Sequence, residues 1–476
     1  MKKRIALLLA LCITLGLCAC GGNTAQTTAD PNGETKAVFR IGYAREQIMP
    51  EMVIPLAGSG IQGREYEGYL DILYTTCLAI TDESGNTVLL FTNDLVNSKA
   101  EFSDPAKKQI SQATGIAVEN IMVAATHTHA APTFTATYID GVPQYRQLVM
   151  NAMTAAAKKA IADQSPATIT AGSTQAEGMA YSRHYILGDG RIEKDIKKND
   201  VLVGHPDEGN DTMQLVRFTR AEEGKKDIIM MTFGIHPTFN GQAKDKMISA
   251  DFVYPTRDYI ENETGALVAY FTSAAGNQTG NSSIPGESKF SRSQYLDYGK
   301  ELGRIAVEYL PNLQPLNAGD IQLQNKVFVA TSYKDKIDQL EEAKTVYAAY
   351  QKTSESAVQG MLDNYGFDSI WEAIAIIDRA EMADTLNVSL NALTIGDLSM
   401  IFAPFEMFGD TAKYITDNTP YDITLVITMA NNGHGYFPTE KAYDYKVYEG
   451  FVSKVVPGTA EQVADTFVNM LKDMKG

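Results

Sequence analysis

The sequence predicts an α/β protein in which a mixed or mostly parallel sheet is layered against flanking helices. Short apolar runs alternate with helical patterns from residue 38 to residue 475, which is typical of such folds. The runs are apolar on both faces, as expected for strands that are covered on both sides. The chain has 476 residues and is 44% hydrophobic, so it can build a substantial core.

The apolar runs have the length of buried strands, and most of them end in small or polar residues. They occupy residues 87–94, 120–127, 227–236, 266–276, 398–406 and 423–432.

Longer stretches with helical patterns lie between these runs, at residues 145–164, 295–310 and 459–474. Residues 334–384 have similar patterns and predict a helical insertion. Residues 187–210 are rich in Gly, Asp and Asn and predict a loop. We therefore expect one large domain, residues 38–476, with an inserted helical piece.

The N-terminus has the features of a targeting segment. Three basic residues precede the apolar residues 5–17, and the sequence Leu-Cys-Ala-Cys then ends at Cys20. This resembles a bacterial lipobox and predicts a lipoprotein signal peptide over residues 1–19, with Cys20 as the lipidated first residue. A free signal peptide is the alternative. The polar residues 20–37 predict a flexible tether, so we expect an extracytoplasmic lipoprotein anchored to the bacterial cell membrane.

Charge and cysteine content exclude several classes of protein. The formal net charge is -17 and no basic block offsets it, which argues against nucleic acid as a partner. Two of the four cysteines lie in the predicted signal peptide and Cys20 is the lipidated first residue, so only Cys77 remains in the mature globular part. A disulfide framework or a cysteine-based zinc site is therefore not expected, and Cys77 is predicted to be a core residue.

Polar side chains follow several of the apolar runs at the point where each run ends. In open α/β sheets, ligands bind at the carboxyl ends of strands, so these groups should meet at one edge. Two imidazoles and a carboxylate from three different segments form a plausible catalytic zinc set. The polar side chains that follow the runs, from which such a set could be drawn, are those of His127, His129, His236, Asn277, Thr279, Glu406, His434 and Tyr436.

Each of these residues also has a simpler interpretation. A lone histidine at a strand end usually makes ordinary hydrogen bonds, but the pair His127 and His129 together with His236 favours a metal. In an extended segment His127 and His129 would face the same side, roughly 6.5–7 Å apart, so one could bind metal while the other meets the substrate. His184 and His205 lie in loop-like sequence and are predicted to be ordinary surface residues.

Five motifs occur in an order that resembles the neutral ceramidase family. They are "ATHTHAAP", "GIHPTFN", "SAAGNQTGN", "APFEMF" and "GYFPTEKAYDYKVYEG", and the opening "IGYAREQIMPEMVIPLAG" is also similar. The similarity extends from about residue 38 to the last helix. That family consists of zinc amidases that cleave the N-acyl bond of ceramide, so the resemblance implies a zinc-dependent hydrolase.

The resemblance also implies roles for individual residues. The zinc ligands would be His127, His236, Glu406 and Tyr436. The polar groups around the scissile carbonyl would be His129, Arg183 and Tyr448, with Thr279 hydrogen-bonding the substrate. The implied cofactor is Zn²⁺ and the implied substrate is a lipid or another N-acyl amide, with no oligomeric state predicted.

The chain departs from the family pattern at one turn and at its end. Where ceramidases have an acid and a serine, this chain has Asn277 and Thr279. Typical members continue into a C-terminal β-sandwich domain, and we expect that this chain lacks one. Two alternatives therefore stay open. One is a zinc esterase or phosphoesterase on the same site, and the other is a non-catalytic solute-binding lipoprotein with two lobes.

Overall fold

The computed structural model describes residues 27–29, 35–37, 39–59, 63–194, 196–242, 245–353 and 355–476. The predicted signal peptide, Cys20 and most of the predicted tether lie outside the described residues. Within the tether, the described segments Thr27–Ala29 and Thr35–Ala37 pair as antiparallel strands.

The strands of the described chain are numbered in chain order. They are β1 (Thr27–Ala29), β2 (Thr35–Ala37), β3 (Arg40–Gln47), β4 (Gly68–Tyr69), β5 (Tyr74–Thr81), β6 (Thr87–Asn93), β7 (Ile121–Ala125), β8 (Ser165–Gln175), β9 (Tyr181–Ser182), β10 (Tyr185–Leu187), β11 (Ile192–Glu193), β12 (Leu202–Gly204), β13 (Thr212–Arg220), β14 (Ile228–Phe233), β15 (Met247–Ile248), β16 (Leu267–Thr272), β17 (Gln278–Thr279), β18 (Gln314–Leu316), β19 (Ile321–Thr331), β20 (Thr385–Ile395), β21 (Leu398–Phe402), β22 (Glu406–Met407), β23 (Ile423–Ile427) and β24 (Tyr436–Phe437).

The helices are numbered in the same way. They are α1 (Ala100–Thr114), α2 (Val142–Ala162), α3 (Val253–Thr264), α4 (Tyr295–Tyr309), α5 (Leu340–Tyr350), α6 (Glu355–Tyr365), α7 (Ile370–Glu381), α8 (Gly409–Asn418), α9 (Glu440–Tyr443), α10 (Tyr448–Val452) and α11 (Thr459–Lys475). Helices α5 to α7 follow one another within residues 340–381. In the described ranges, no helix combines the length and the apolar character needed to cross a bilayer.

Two sheets form the centre of the described chain. The large sheet has the strand order β16-β14-β13-β8-β3-β5-β6-β7, with β18 also paired to β8. Its middle is antiparallel, while β14 with β16 and β6 with β7 are parallel pairs. The small sheet has the order β19-β20-β21-β23, in which β21 and β23 are parallel. In each parallel pair a helix connects the two strands, because a parallel connection needs a crossover.

The described chain has four layers, in the order helices, large sheet, small sheet, helices. One apolar core lies between the sheets and contains side chains from both, such as Ile41, Phe271, Met400 and Leu425. A second core joins the outer face of β3, β5, β6 and β7 to α1 and α2. Helices α3 and α4 cover the rest of that face, and α8 and α11 cover the small sheet. The predicted α/β layered class is confirmed, with mixed sheets, and Cys77 is a buried core residue.

Candidate metal centre

The carboxyl ends of the parallel strands meet at one edge of the two sheets. His127 and His129 follow β7, His236 follows β14, and Asn277 follows β16 in the large sheet. Glu406 begins β22 after β21, and Tyr436 begins β24 after β23 in the small sheet. β22 and β24 pair in parallel, with Glu406 opposite Tyr436. The edge predicted from the strand ends is therefore where the chain brings these side chains together.

His127 is held by the end of β6 in an unusual backbone conformation. Its φ is 69°, the left-handed region that residues other than glycine rarely adopt. The backbone N–H of His127 donates to Leu95 O at 2.9 Å. The Nδ1–H donates to Val96 O at 2.5 Å, so Nε2 carries the free lone pair. The strained backbone therefore directs Nε2 toward the edge of the sheets.

His236 is oriented in the same way from the neighbouring part of the sheet. Its Nδ1–H donates to Ala275 O at 2.5 Å, and its backbone N–H donates to Gln278 O at 3.1 Å. Burial lowers the pKa of His236 to about 4, so the ring is neutral at physiological pH. Backbone carbonyls thus set the tautomer of both His127 and His236 with Nε2 available as a ligand.

Oxygen donors from β22 and β24, which follow strands of the small sheet, lie against these two nitrogens. Glu406 Oε2 is 3.2 Å from Nε2 of His236 and 3.4 Å from Nε2 of His127. The hydroxyl of Tyr436 is 3.2 Å from Nε2 of His236. Four donor atoms from four segments therefore converge on a small buried volume.

This donor set fits a tetrahedral metal ion. With metal–ligand distances of about 2.0–2.1 Å, neighbouring ligands of a tetrahedral zinc site are roughly 3.3 Å apart. The donor contacts of 3.2–3.4 Å match that spacing. Two imidazole lone pairs that face a carboxylate in a buried site also need a cation between them.

His129 belongs to the same cluster. Its Nε2 is 3.4 Å from Nε2 of His127, and the ligand atoms of His127, His129 and His236 all lie within 4.8 Å of one another. The extended geometry expected for the His-x-His pair is not found, because the φ of His127 turns the chain and brings the rings 4.9 Å apart, edge to face. Three histidines are therefore a second possible ligand set.

Two glycines make room for His129. Gly58 and Gly241 both have positive φ, and a Cβ on either one would lie within about 2.7 Å of atoms of His129. The buried Nδ1 of His129 has no hydrogen-bond partner among the described residues. The ring is thus tightly enclosed on its backbone side while Nδ1 has a free hydrogen-bonding position.

Arg183 lies beside the donor cluster with its guanidinium 5.4 Å from the ring centroid of Tyr436. It forms an ion pair with Glu449, whose side chain is fully buried. Nε of Arg183 is buried and has no hydrogen-bond partner in the described chain, so it is available to a ligand. Although burial alone would raise the pKa of Glu449, Arg183 and His184 hold it below its usual value.

The expectation that His184 and His205 are surface residues is wrong. His184 is 0% exposed and its Nε2 lies 2.8 Å from Glu449 Oε2. His205 is half-buried, and its Nδ1–H donates to His184 O at 2.8 Å. Buried charges need partners, and the carboxylates of Glu449 and Asp207, the latter 3.9 Å from Nδ1, permit His184 to be buried. Glu449 is the site residue that sequence reasoning missed, although it directly follows Tyr448 in the "YEG" motif.

Tyr448 and Thr279 occupy the periphery of the cluster. The ring of Tyr448 is 5.8 Å from that of Tyr436 at 77°. Thr279 lies in β17, which pairs with β9 just before Arg183. Its hydroxyl is 3.5 Å from Asn281 Oδ1. Within the described residues, no hydrogen bond joins this hydroxyl to the four donors or to His129.

Asn277 has a structural position. Its Oδ1 accepts a hydrogen bond from the backbone N–H of Gly409 at 2.9 Å, at the first residue of α8. Its carbonyl accepts from the N–H of Arg183 at 2.9 Å. Asn277 thus connects the end of β16 to α8 and to Arg183, a role for which an amide suffices.

The fold and site together define a layered α/β protein with a buried cluster of potential metal ligands at the strand ends. Solved structures of ceramidases share this fold. The crystal structure of neutral ceramidase from Pseudomonas aeruginosa superimposes with a TM-score of 0.68 at 17% identity, over 91% of this chain and 74% of that chain. A structure described as ceramidase complexed with C2 gives 0.67 at 16%, over 92% and 75%. No protein-family model and no curated protein matches the sequence.

Proposed function

We propose that this protein is a zinc-dependent hydrolase that cleaves an N-acyl amide, with a ceramide-like lipid as the first substrate to test. The observation that carries the proposal is the convergence of the Nε2 atoms of two histidines with Glu406 and Tyr436, in which three donor–donor distances of 3.2–3.4 Å match the ligand spacing of tetrahedral zinc. The fold shared with ceramidases and the ordered sequence motifs support the amide as the bond that is broken.

The ligands would be His127, His236, Glu406 and Tyr436. A zinc ion held by them would polarise a carbonyl oxygen and lower the pKa of water to roughly 7. The remaining steps fall to the chain's own side chains.

Arg183 and Tyr448 are the donors best placed to stabilise negative charge on the carbonyl oxygen during attack. Arg183 is kept in position by the buried carboxylate of Glu449. Loss of one such donor typically raises the barrier by about 2.7–4 kcal/mol. His129, which lies next to the donors and has an unpartnered Nδ1, would accept the proton that the attacking water loses and pass it to the nitrogen of the leaving amine as the C–N bond breaks.

The continuous core between the sheets supports this enzyme over a two-lobed solute-binding protein. The anchoring of the mature protein to the membrane through Cys20 is part of the proposal, because a lipid anchor would hold the enzyme beside a lipid substrate.

The test compares hydrolysis of a fluorogenic N-dodecanoyl amide with that of the matching ester and phosphoester, with and without a chelator. We expect amide hydrolysis that the chelator removes and added Zn²⁺ restores. Hydrolysis that is insensitive to the chelator would refute the proposal that the reaction depends on a metal ion. A preference for the ester or the phosphoester would favour the corresponding alternative reaction.

A further inference from the structure

The helical insertion α5–α7 contacts the candidate site through α7. Arg379 in α7 is buried, and its Nη2 donates to the carbonyls of Phe451 at 2.5 Å and of Ser453 at 3.2 Å. These carbonyls belong to α10 and the residue after it, and α10 begins at Tyr448. Hydrogen bonds from Arg379 therefore connect the insertion to α10, the short helix that contains Tyr448 and Glu449.

Trp371 lies in the first turn of α7, on the side that faces this short helix. It is the only tryptophan in the chain. Its ring centroid is 5.3 Å from that of Tyr448 at 84°, yet the side chain is 37% exposed. The apolar core of the insertion contains Ile370, Ala373 and Ile376 from α7 but not Trp371. The indole therefore lies outside the apolar core of the insertion and packs on Tyr448 instead.

The aromatic rings form a continuous path from solvent to the donor cluster. Trp371 contacts Tyr448, and the ring of Tyr448 is 5.8 Å from that of Tyr436. The hydroxyl of Tyr436 is 3.2 Å from Nε2 of His236. These edge-to-face contacts, at 84° and 77°, line the path with apolar ring surface, and large half-exposed aromatics beside a polar centre are common in ligand sites. The ammonium of Lys194 lies 4.8 Å from the ring centroid of Tyr448, so Trp371 offers the larger open apolar surface.

We propose that Trp371 and Tyr448 form the wall against which a linear apolar chain of the substrate binds, so that Trp371 sets the preference for chain length. The nature of the substrate, an N-acyl amide, rests on the proposed function. The chain could belong to the acyl group or to the amine, and both present the same chemistry to the indole. Its binding, however, can be measured without any hydrolysis.

The binding test uses the emission of the single tryptophan. Dodecanoic acid and dodecylamine are titrated separately into the purified protein below their micellar concentrations. We expect a saturable blue shift with at least one of them, and the ligand that gives it identifies which half of the substrate lies on the wall. Tyr414→Ala, an exposed aromatic on α8 away from this path, should leave the shift unchanged. The absence of a saturable shift with both ligands would overturn the proposal.

The kinetic test compares amides with acetyl and dodecanoyl groups, and then amides whose amine is lengthened instead. Trp371→Ala should raise KM about tenfold for the long chain in one series, with a change of less than about twofold for the short chain and little effect on kcat. Trp371→Phe should restore most of the difference. Equal effects on long and short chains in both series would contradict the proposal. If no amide is hydrolysed but the fluorescence shift is present, the proposed reaction fails and the apolar wall stands.

Discussion

Glu449 Oε2 lies 2.8 Å from Nε2 of His184, and neither side chain reaches solvent. The other oxygen of Glu449 pairs with Arg183 at the edge of the donor cluster. One buried carboxylate therefore joins the interior to the site, and its removal has consequences for both.

Glu449→Gln should destabilise the protein by about 3–5 kcal/mol, because it leaves Arg183 without its buried ion-pair partner and leaves His184 with only the carboxylate of Asp207, 3.9 Å from its Nδ1. Chemical denaturation measures this change. The matched control is Glu301→Gln, which breaks a partly exposed pair with Arg304 and should cost less than about 1 kcal/mol. Equal losses in the free energy of unfolding for the two variants would show that the buried ion pair of Glu449 stabilises the protein no more than a surface ion pair does.

His127→Asn should abolish metal binding while preserving the backbone, because asparagine tolerates the left-handed conformation better than alanine does. Metal analysis of the purified variant should give background values, and a chelator should no longer lower its Tm. His205→Ala, which changes a histidine outside the cluster, should retain the metal. Metal at wild-type levels in the His127 variant would exclude His127 as a ligand.

His129→Gln separates the two ligand sets. If His129 acts on the leaving group, the variant keeps its metal and kcat falls by about 10²–10⁴-fold. Loss of the metal together with activity would instead assign the three histidines as the ligands.

Asp251 makes stability depend on pH. Burial raises the pKa of this carboxyl from its usual 3.8 to about 7, although the backbone N–H groups of Asn240 and Phe252 lower it. Between about pH 4 and pH 7 the folded state therefore holds a proton that the unfolded chain releases, so stability falls as pH rises through this window. Asp251→Asn should flatten that slope in urea denaturation at a series of pH values. A slope identical to that of the wild type would contradict the shift.

Cys20→Ala should move the protein from the membrane fraction to the soluble fraction of a bacterial host. Cys12→Ala, a substitution within the signal itself, should leave the distribution unchanged. Recovery of both variants in the membrane fraction would contradict anchoring through Cys20.

The layered class could be predicted because it depends on local patterns, namely the apolar runs and the helical stretches between them. The strand order could not, since neighbours such as β8 and β13 are chosen by packing between distant segments. Contacts between distant segments also limited what could be predicted of the candidate metal centre. His127 and His236 were recognisable at strand ends, whereas His184 lay in loop-like sequence and its partner Glu449 comes 265 residues later.

The site is divided between segments that follow the two sheets: the histidines follow strands of the large sheet, whereas Glu406 and Tyr436, in the paired strands β22 and β24, follow strands of the small one. His236 and Glu406 are 170 residues apart in the chain. Metal affinity can therefore arise only late in folding, after these non-local contacts have closed. Once bound, the ion would cross-link the segments that follow the large sheet to those that follow the small sheet. The rate of metal uptake during refolding would therefore report when the two sheets pack together.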